Sequence, residues 1–373
     1  LQPYSELSLS AQTAYAQLFD ATRAAELTRT VSSLNGSFAK KAVKGRTYWY
    51  FQHTDLSGKL RQLYIGPDSA EIRELIAQSK TPSPRQALQP LARSALALGC
   101  AGVLARHFRV VRRLSEYGFF HAGGVLIGTH AFLTYGNMLG VRWGEAARTQ
   151  DVDFAHSGKN MAVALPSNIE IDTHGAVESL KMGFLPAMGA TGKAGATYLI
   201  PRDPDFQLDF VTSLHRGGET PYEHPKLGIA LQPLKFMEYL IEDIAQAALF
   251  CDEGAVVVNV PTPARYGLHK LLVYGERTGT FLQKANKDIL QAAALLTYFR
   301  AHRAWEAEKA WEDLVSRGTG WTTRVRESMK VLDRVAPYLE AGDWLKIPGT
   351  SGTKSKAGRA RAKPVVKKTR NPK

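Results

Sequence analysis

Asp151, Asp153 and Asp209 are the residues whose type and spacing could do chemistry. In Asp151-Val152-Asp153-Phe154 acidic and apolar residues alternate, and along a strand alternate side chains project to opposite faces. Both carboxylates then share one side while Val152 takes the other. Two carboxylates side by side repel, and at neutral pH they sit comfortably around a cation. Magnesium suits the case, with manganese as its substitute, because such hard ions take carboxylate and phosphate oxygens. Asp209 lies in a second alternating run, Phe206-Gln207-Leu208-Asp209-Phe210, as on a strand at the centre of a sheet. Three acids on neighbouring strands can hold two metal ions about 3.5–4 Å apart. That arrangement activates an attacking hydroxyl and neutralises a leaving pyrophosphate.

The run Val125-Leu126-Ile127-Gly128-Thr129 supplies the other half, reading as strand, turn and helix. A glycine lets the backbone approach a phosphate closely. The Thr129 hydroxyl can donate to it, and the N–H groups opening the next helix favour an anion. Other suggestive residues read as structural. Asp203 and Asp205 fall in a Pro-Arg-Asp-Pro-Asp run that favours a turn. His121, His130 and His156 are near in sequence but fit no zinc spacing. Gly192-Lys193 does not complete the GxxxxGK[ST] phosphate loop.

The elements that must position these residues follow from periodicity. Residues 8–33 predict an amphipathic helix, with Leu18, Ala21, Ala25 and Leu27 at helical steps. The stretch KGRTYWYFQHTDLSGKLRQLYIGP predicts a β-hairpin about residues 55–58, with Tyr48, Trp49, Tyr50, Tyr64, Arg46, Lys59 and Arg61 forming an aromatic and basic surface. Such a surface stacks bases and holds phosphates, or equally packs on its own helices. A short helix is expected over 68–79, a linker over 81–85, and helix over 86–117, 232–250 and 262–339. Val256–Val260 reads as a strand. Thr262-Pro263 has the form of a helix N-cap followed by proline at the first helical position.

Taken together, VLIGTHAFLTYG, TQDVDF and QLDF resemble the nucleotidyltransferase fold. The likeness runs in outline over residues 100–300 and is nearest to bacterial nucleotidyltransferase-like proteins allied to the AbiEii and MenT toxins. VNVPTPARYGLHKLL and KANKDI resemble that group's strand-Pro-helix and basic-Asp elements, giving Lys270, Lys287 and Asp288. The resemblance implies that Gly128, Thr129 and Lys270, with Lys287, contact a nucleoside triphosphate. It implies that Asp151, Asp153 and Asp209 ligate Mg²⁺ or Mn²⁺, and that Asp209 assists deprotonation of an acceptor hydroxyl. The turn reads Gly-Thr instead of Gly-Gly or Gly-Ser. The gap between Gly128 and Asp151 carries an inserted LGVRWGEAART, whose Arg142 and Arg148 are further phosphate candidates. The implied fold is α+β, a mixed sheet flanked by helices with an N-terminal helix and hairpin and a C-terminal helical region. Expected divisions are 1–85, a catalytic core over 86–230, a mainly helical part over 231–343, and a basic tail over 344–373.

Composition narrows the context. The formal charge is +14, but nine basic residues and no acid lie in 352–373, so the remaining 351 residues carry only +5. That tail suits either solubility or sequence-blind attachment to nucleic-acid phosphates. No run reaches the ~20 apolar residues of a spanning helix, no membrane partner is expected, and LQPYSELSLSAQ lacks the pattern of an export leader. Cys100 and Cys251, far apart, suit a reducing, cytoplasmic setting. The leading expectation is transfer of a nucleoside monophosphate from an NTP to an acceptor hydroxyl, on RNA such as a tRNA 3′ end before a protein or small molecule, with an antitoxin-like protein as a further partner. The alternatives are a nucleic-acid-binding protein whose nucleotidyltransferase fold is inactive, and a three-carboxylate nuclease. The nuclease is disfavoured because the Gly-Thr turn would then be idle.

Overall fold

The helix expected over residues 8–33 forms as α1 (Leu9–Ser32), preceded by β1 (Tyr4–Glu6), in a computed structural model of the chain. The described residues are 3–32, 36–43, 45–54, 60–79, 88–144, 151–156, 171–188, 194–214, 218–225, 227–274 and 282–346. The buried stripe of α1 is Ala11, Tyr15, Leu18 and Thr22, spaced so that one face meets the protein. The hairpin is larger than expected: β2 (Gly36–Val43) joins β3 (Arg46–Thr54) and β4 (Leu60–Pro67) in an antiparallel sheet, with α2 (Ala70–Ser79) following. The Gly-Ser-Phe-Ala-Lys-Lys run of β2 gave no alternation to mark it. One helix over 86–117 is corrected to two, α3 (Leu88–Ala97) and α4 (Ala105–Glu116), because the chain breaks at Gly99, whose φ is +102.

Next come β5 (Gly124–Leu126), α5 (Gly128–Leu139), β6 (Val141–Trp143) and β7 (Val152–His156), so the strand, turn and helix around Gly128 form as read. The weakly patterned stretch after them holds α6 (Thr173–Ser179), β8 (Leu185–Met188) and β9 (Ala194–Ile200), before β10 (Asp203–Ser213). Then follow β11 (Tyr222–His224), β12 (Ile229–Leu234), α7 (Met237–Ile241), β13 (Ile244–Cys251) and β14 (Gly254–Pro261). The helix expected over 232–250 is therefore wrong. Its alanines favour helix by propensity, yet β13 pairs residue for residue with β14, whose valines favour strand, through a tight turn at Asp252-Glu253. The helical run after Thr262 is α8 (Pro263–Tyr274), α9 (Leu282–His302), α10 (Ala304–Ser316), α11 (Thr319–Val335) and α12 (Ala341–Trp344), with a 3₁₀ turn at Pro337–Leu339.

The main sheet is mixed, in the order β11-β12-β10-β7-β5 with β8 and β9 attached through β10. β10 is its hub. One edge runs parallel to β7; the other pairs first with antiparallel β9 and then with parallel β12. Phe154 and Phe210 stack at 5.2 Å on the face opposite the acids, with Phe119 edge-on to both. One apolar cluster continues from α4 through this sheet into α8, α9, α10, α11 and α12. A second, smaller one fastens α1 and α3 to β13 through Tyr15, Leu18, Ala92 and Phe250. Among the described residues no helix is long and apolar enough to cross a membrane.

The approach to β5 is set by a buried amide. Asn259 Nδ2 on β14 donates to the carbonyls of Phe120 at 2.7 Å and Gly124 at 2.9 Å. Asn259→Leu leaves both without that donor, and a lost buried hydrogen bond of this kind costs about 1–3 kcal/mol. In urea denaturation the expected result is a lower midpoint at unchanged slope.

Candidate active site

Asp153 on β7 stands directly opposite Asp209 on β10 in a parallel register. Parallel partners share a face, so both carboxylates project to the same side of the sheet, and Asp151, two residues earlier, projects with them. The bend between β5 and α5 crosses this spot. Ile127 N–H donates to the Asp153 carbonyl at 3.0 Å. Gly128 has φ +62, and a Cβ there would fall onto the Asp153 carboxylate, 2.9 Å from its Cγ. Left-handed backbone and close approach therefore both require glycine. The Tyr266 hydroxyl of α8 lies 2.8 Å from the Gly128 carbonyl oxygen and 2.8 Å from the Gln291 amide of α9, anchoring the bend from behind.

The seven residues that the resemblance assigns to metal or triphosphate, Gly128, Thr129, Asp151, Asp153, Asp209, Lys270 and Lys287, line one cleft of about 650 Å³. α8 and α9 form its basic wall. Lys270 Nζ donates to Asp288 at 2.6 Å, with the two side chains only 12% and 4% exposed, and it lies 5.0 Å from the Tyr266 ring centroid. The lysine expected to meet a triphosphate is thus held by a buried carboxylate while still bordering the cleft. Two residues escaped the sequence reading. Lys284 Nζ donates to Asp151 Oδ2 at 3.2 Å. Its signal was present, one helical turn before Lys287 on the same face. Thr197 Oγ1 donates to Asp209 Oδ1 at 2.6 Å from β9, a strand that the sequence reading did not mark.

The electrostatics follow from this crowding. Asp153 is pushed up to about 6 by burial and by repulsion from Asp209 and Asp151, against the pull of Lys270 and Lys284. Asp209 is raised too, chiefly by burial, while the Thr197 hydroxyl opposes the shift. Lys287 is lowered to about 8 by burial and by Lys270, with Asp153, Asp288 and Asp151 acting in the other direction. Among the described residues no three carboxylate, imidazole or thiol groups close into a ready-made metal cage. The donors offered by Asp151, Asp153 and Asp209 are nonetheless hard oxygens, the chemistry that Mg²⁺ and Mn²⁺ prefer. A cation there would also offset the repulsion that burdens Asp153.

The remaining candidates lie outside this arrangement. Arg142 donates to the Gly99 carbonyl at 2.8 Å and does not line the cleft. Arg148, Gly192 and Lys193 are outside the described residues. Asp203 and Asp205 belong to β10, with the turn one step earlier at Pro201-Arg202, and Asp203 pairs with Arg106 at 3.1 Å. His130 and His107 form a buried pair, 2.9 Å between ring nitrogens, which burial lowers to about 3 and about 4. His156 Nε2 bonds the Ala122 carbonyl at 2.7 Å, and His121 approaches Glu26 at 3.4 Å.

Residues 105–316, more than half of the chain, match the family model described as nucleotidyltransferase, and the chain belongs to that family. The chain is also similar to the crystal structure of an antigenic nucleotidyltransferase-like protein from Paracoccidioides brasiliensis. That likeness has 13% identity and a TM-score of 0.33, over 66% of this chain and 95% of the other. No curated protein matches the sequence.

The Asp153 carboxylate gives a signed expectation. Its value rises on folding from 3.8 to about 6, so the stability it contributes is full below pH 3.8 and is lost as pH rises through about 6. Asp153→Asn removes that loss. The variant is expected to exceed the parent at pH 8 by on the order of 3 kcal/mol and to match it near pH 4, as read by denaturation at both pH values. Gly128→Ala is expected to do the opposite, lowering stability by about 1–3 kcal/mol from backbone strain alone.

Proposed function

We propose that this protein transfers a nucleoside monophosphate from an NTP to an acceptor hydroxyl and releases pyrophosphate. The observation that carries the reading is the in-register opposition of Asp153 and Asp209 beneath the Gly128 bend. In this reading Asp151, Asp153 and Asp209 hold Mg²⁺ or Mn²⁺. When bound, the ion supplies positive charge to the phosphoryl oxygens and lowers the pKa of a hydroxyl beside it.

The residues of the chain do the rest. The backbone N–H groups of Gly128 and Thr129, opening a twelve-residue helix, face the triphosphate with positive partial charge. Lys287 and Lys284 bring cations to the same cleft, and Lys270 positions Asp288 and the Tyr266 ring behind them. Asp209, oriented by Thr197, accepts the proton of the acceptor hydroxyl. The acceptor oxygen bonds the α-phosphorus, the bond between that phosphorus and the bridging oxygen breaks, and its electron pair leaves with pyrophosphate. Catalysis is positioning plus charge, as phosphoryl transfer generally requires.

RNA, a tRNA 3′ end included, is the acceptor this reading favours over a protein or small molecule. Support comes from the basic balance of the sequence and from the first sheet, where Tyr48 and Tyr50 lie 6.0 and 5.5 Å from Tyr64 and Lys41 lies 5.9 Å from the Tyr50 ring. Trp49 faces away, donating to Asp68 at 2.9 Å. Kinship with AbiEii- and MenT-type proteins, an antitoxin-like partner and a cytoplasmic setting complete the proposal, the last supported by two free, buried cysteines. An inactive nucleic-acid-binding protein is the second reading, favoured by the same tyrosine face, and it predicts RNA binding insensitive to Asp153→Ala.

Incubating the protein with Mg²⁺, labelled NTPs and total RNA is expected to label RNA. Asp153→Ala and Asp209→Ala should each cut labelling at least about a hundredfold. Absence of label on RNA, protein and small hydroxyl compounds alike would contradict the proposal.

A further inference from the structure

The cleft has a second half for which the transfer chemistry gives no use. Val211 follows Asp209 by two residues on β10, so it lies on the acids' face of the sheet, and Gln232 of β12 stands opposite it in register. From there the lining carries the apolar Leu234, Phe236, Met237 and Leu240, with Val273 of α8, and beside them the charged Glu219 and Lys235. Where those apolar side chains meet the cleft, the surface offers a phosphate no partner. It suits a flat, weakly polar ring.

Phe236 is the unusual residue in this lobe. It precedes α7 with φ 66 and ψ 2, in the left-handed region that disfavours a bulky side chain. Glycine would adopt the same backbone without strain. Strained residues of this kind concentrate where a side chain must project into a site. The ring is only partly buried. Its packing is against Trp321, edge-on at 4.7 Å, with the Arg324 guanidinium 5.4 Å from its centroid. Phe236, held by Trp321 and Arg324 and lining the cleft, offers an aromatic side chain for stacking.

We infer that Phe236 is the stacking platform for the nucleobase of the NTP, and that the apolar lobe around it selects bases by ring area. The inference rests on the nucleotidyl-transfer reading, and it orients the substrate in the cleft: triphosphate toward Gly128 and the lysines, base toward Phe236. Because every base has a π face, stacking alone tolerates all four, with the larger purines held more tightly.

Equilibrium binding in Mg²⁺ tests this with ATP, CTP and inorganic tripolyphosphate as probes. The parent protein should bind ATP more tightly than CTP, and both more tightly than tripolyphosphate. Phe236→Leu, which keeps an apolar side chain against Trp321 but lacks the π face, should weaken ATP by roughly 5- to 100-fold, the range for a lost stacking partner. Tripolyphosphate affinity should stay within about twofold, showing an intact fold and phosphate site. Phe236→Trp should retain ATP binding. Unchanged ATP affinity in Phe236→Leu, or equal losses for ATP and tripolyphosphate, would overturn the assignment while leaving nucleotide binding itself standing. Failure of the parent to bind any of the three probes would remove the transfer reading, and the platform with it.

Discussion

Asp153 and Asp209 repel each other across a parallel strand pair, and much of the surrounding structure is arranged to bear that repulsion. Their register is enforced from the opposite face, where Phe154 and Phe210 stack and Val152 and Leu208 are fully buried. Sliding either strand by one residue would turn the acids into the core and the aromatics into the cleft. The packed face therefore has enough at stake to hold like charges together. A protein gains nothing in stability from such an arrangement. The cost is intelligible where the acids serve a cation and an anionic substrate.

The wall across the cleft answers this charge in graded fashion. Lys284 is half-exposed and pairs with Asp151, whereas Lys270 is locked to Asp288 in a buried ion pair beside Tyr266. Tyr266 touches the Gly128 carbonyl and the Gln291 amide together, so hydrogen bonds tie α8, α9 and the Gly128 bend to one another. α8 and α9 consequently belong to the cleft as much as the sheet does. A buried pair contributes little net stability, since desolvation offsets attraction. Its effect here is geometric, fixing α8 against α9 at the mouth of the cleft.

The placement of the candidate residues was legible in the sequence because it is local. Asp151-Val152-Asp153 and Gln207-Leu208-Asp209 announce strands by alternation, and the apolar run ending in Gly128-Thr129 announces the bend. The seven residues assigned to metal or triphosphate meet in one cleft, whereas Arg142 does not line it. Legibility failed where tertiary pairing overrules local preference. Residues 232–250 carry a helix-forming composition but contain the last residues of β12, all of α7 and most of β13, and with them Leu234, Phe236 and Met237 of the apolar lobe. A left-handed phenylalanine has no sequence signature. Thr197 was hidden for a related reason, because β9 gains its strand character from β10 and β8, not from its own Gly-Ala-Thr run. Lys284 could have been found from its spacing to Lys287.

The central claim is that three aspartates and a glycine bend create one cation and phosphate site. Anomalous diffraction from crystals soaked with Mn²⁺ and a non-hydrolysable NTP tests it most directly. The account requires a Mn²⁺ peak within about 2.0–2.3 Å of oxygens from Asp151, Asp153 and Asp209, with the triphosphate against the N–H groups of Gly128 and Thr129. Manganese bound elsewhere, or a triphosphate seated away from that bend, would contradict it.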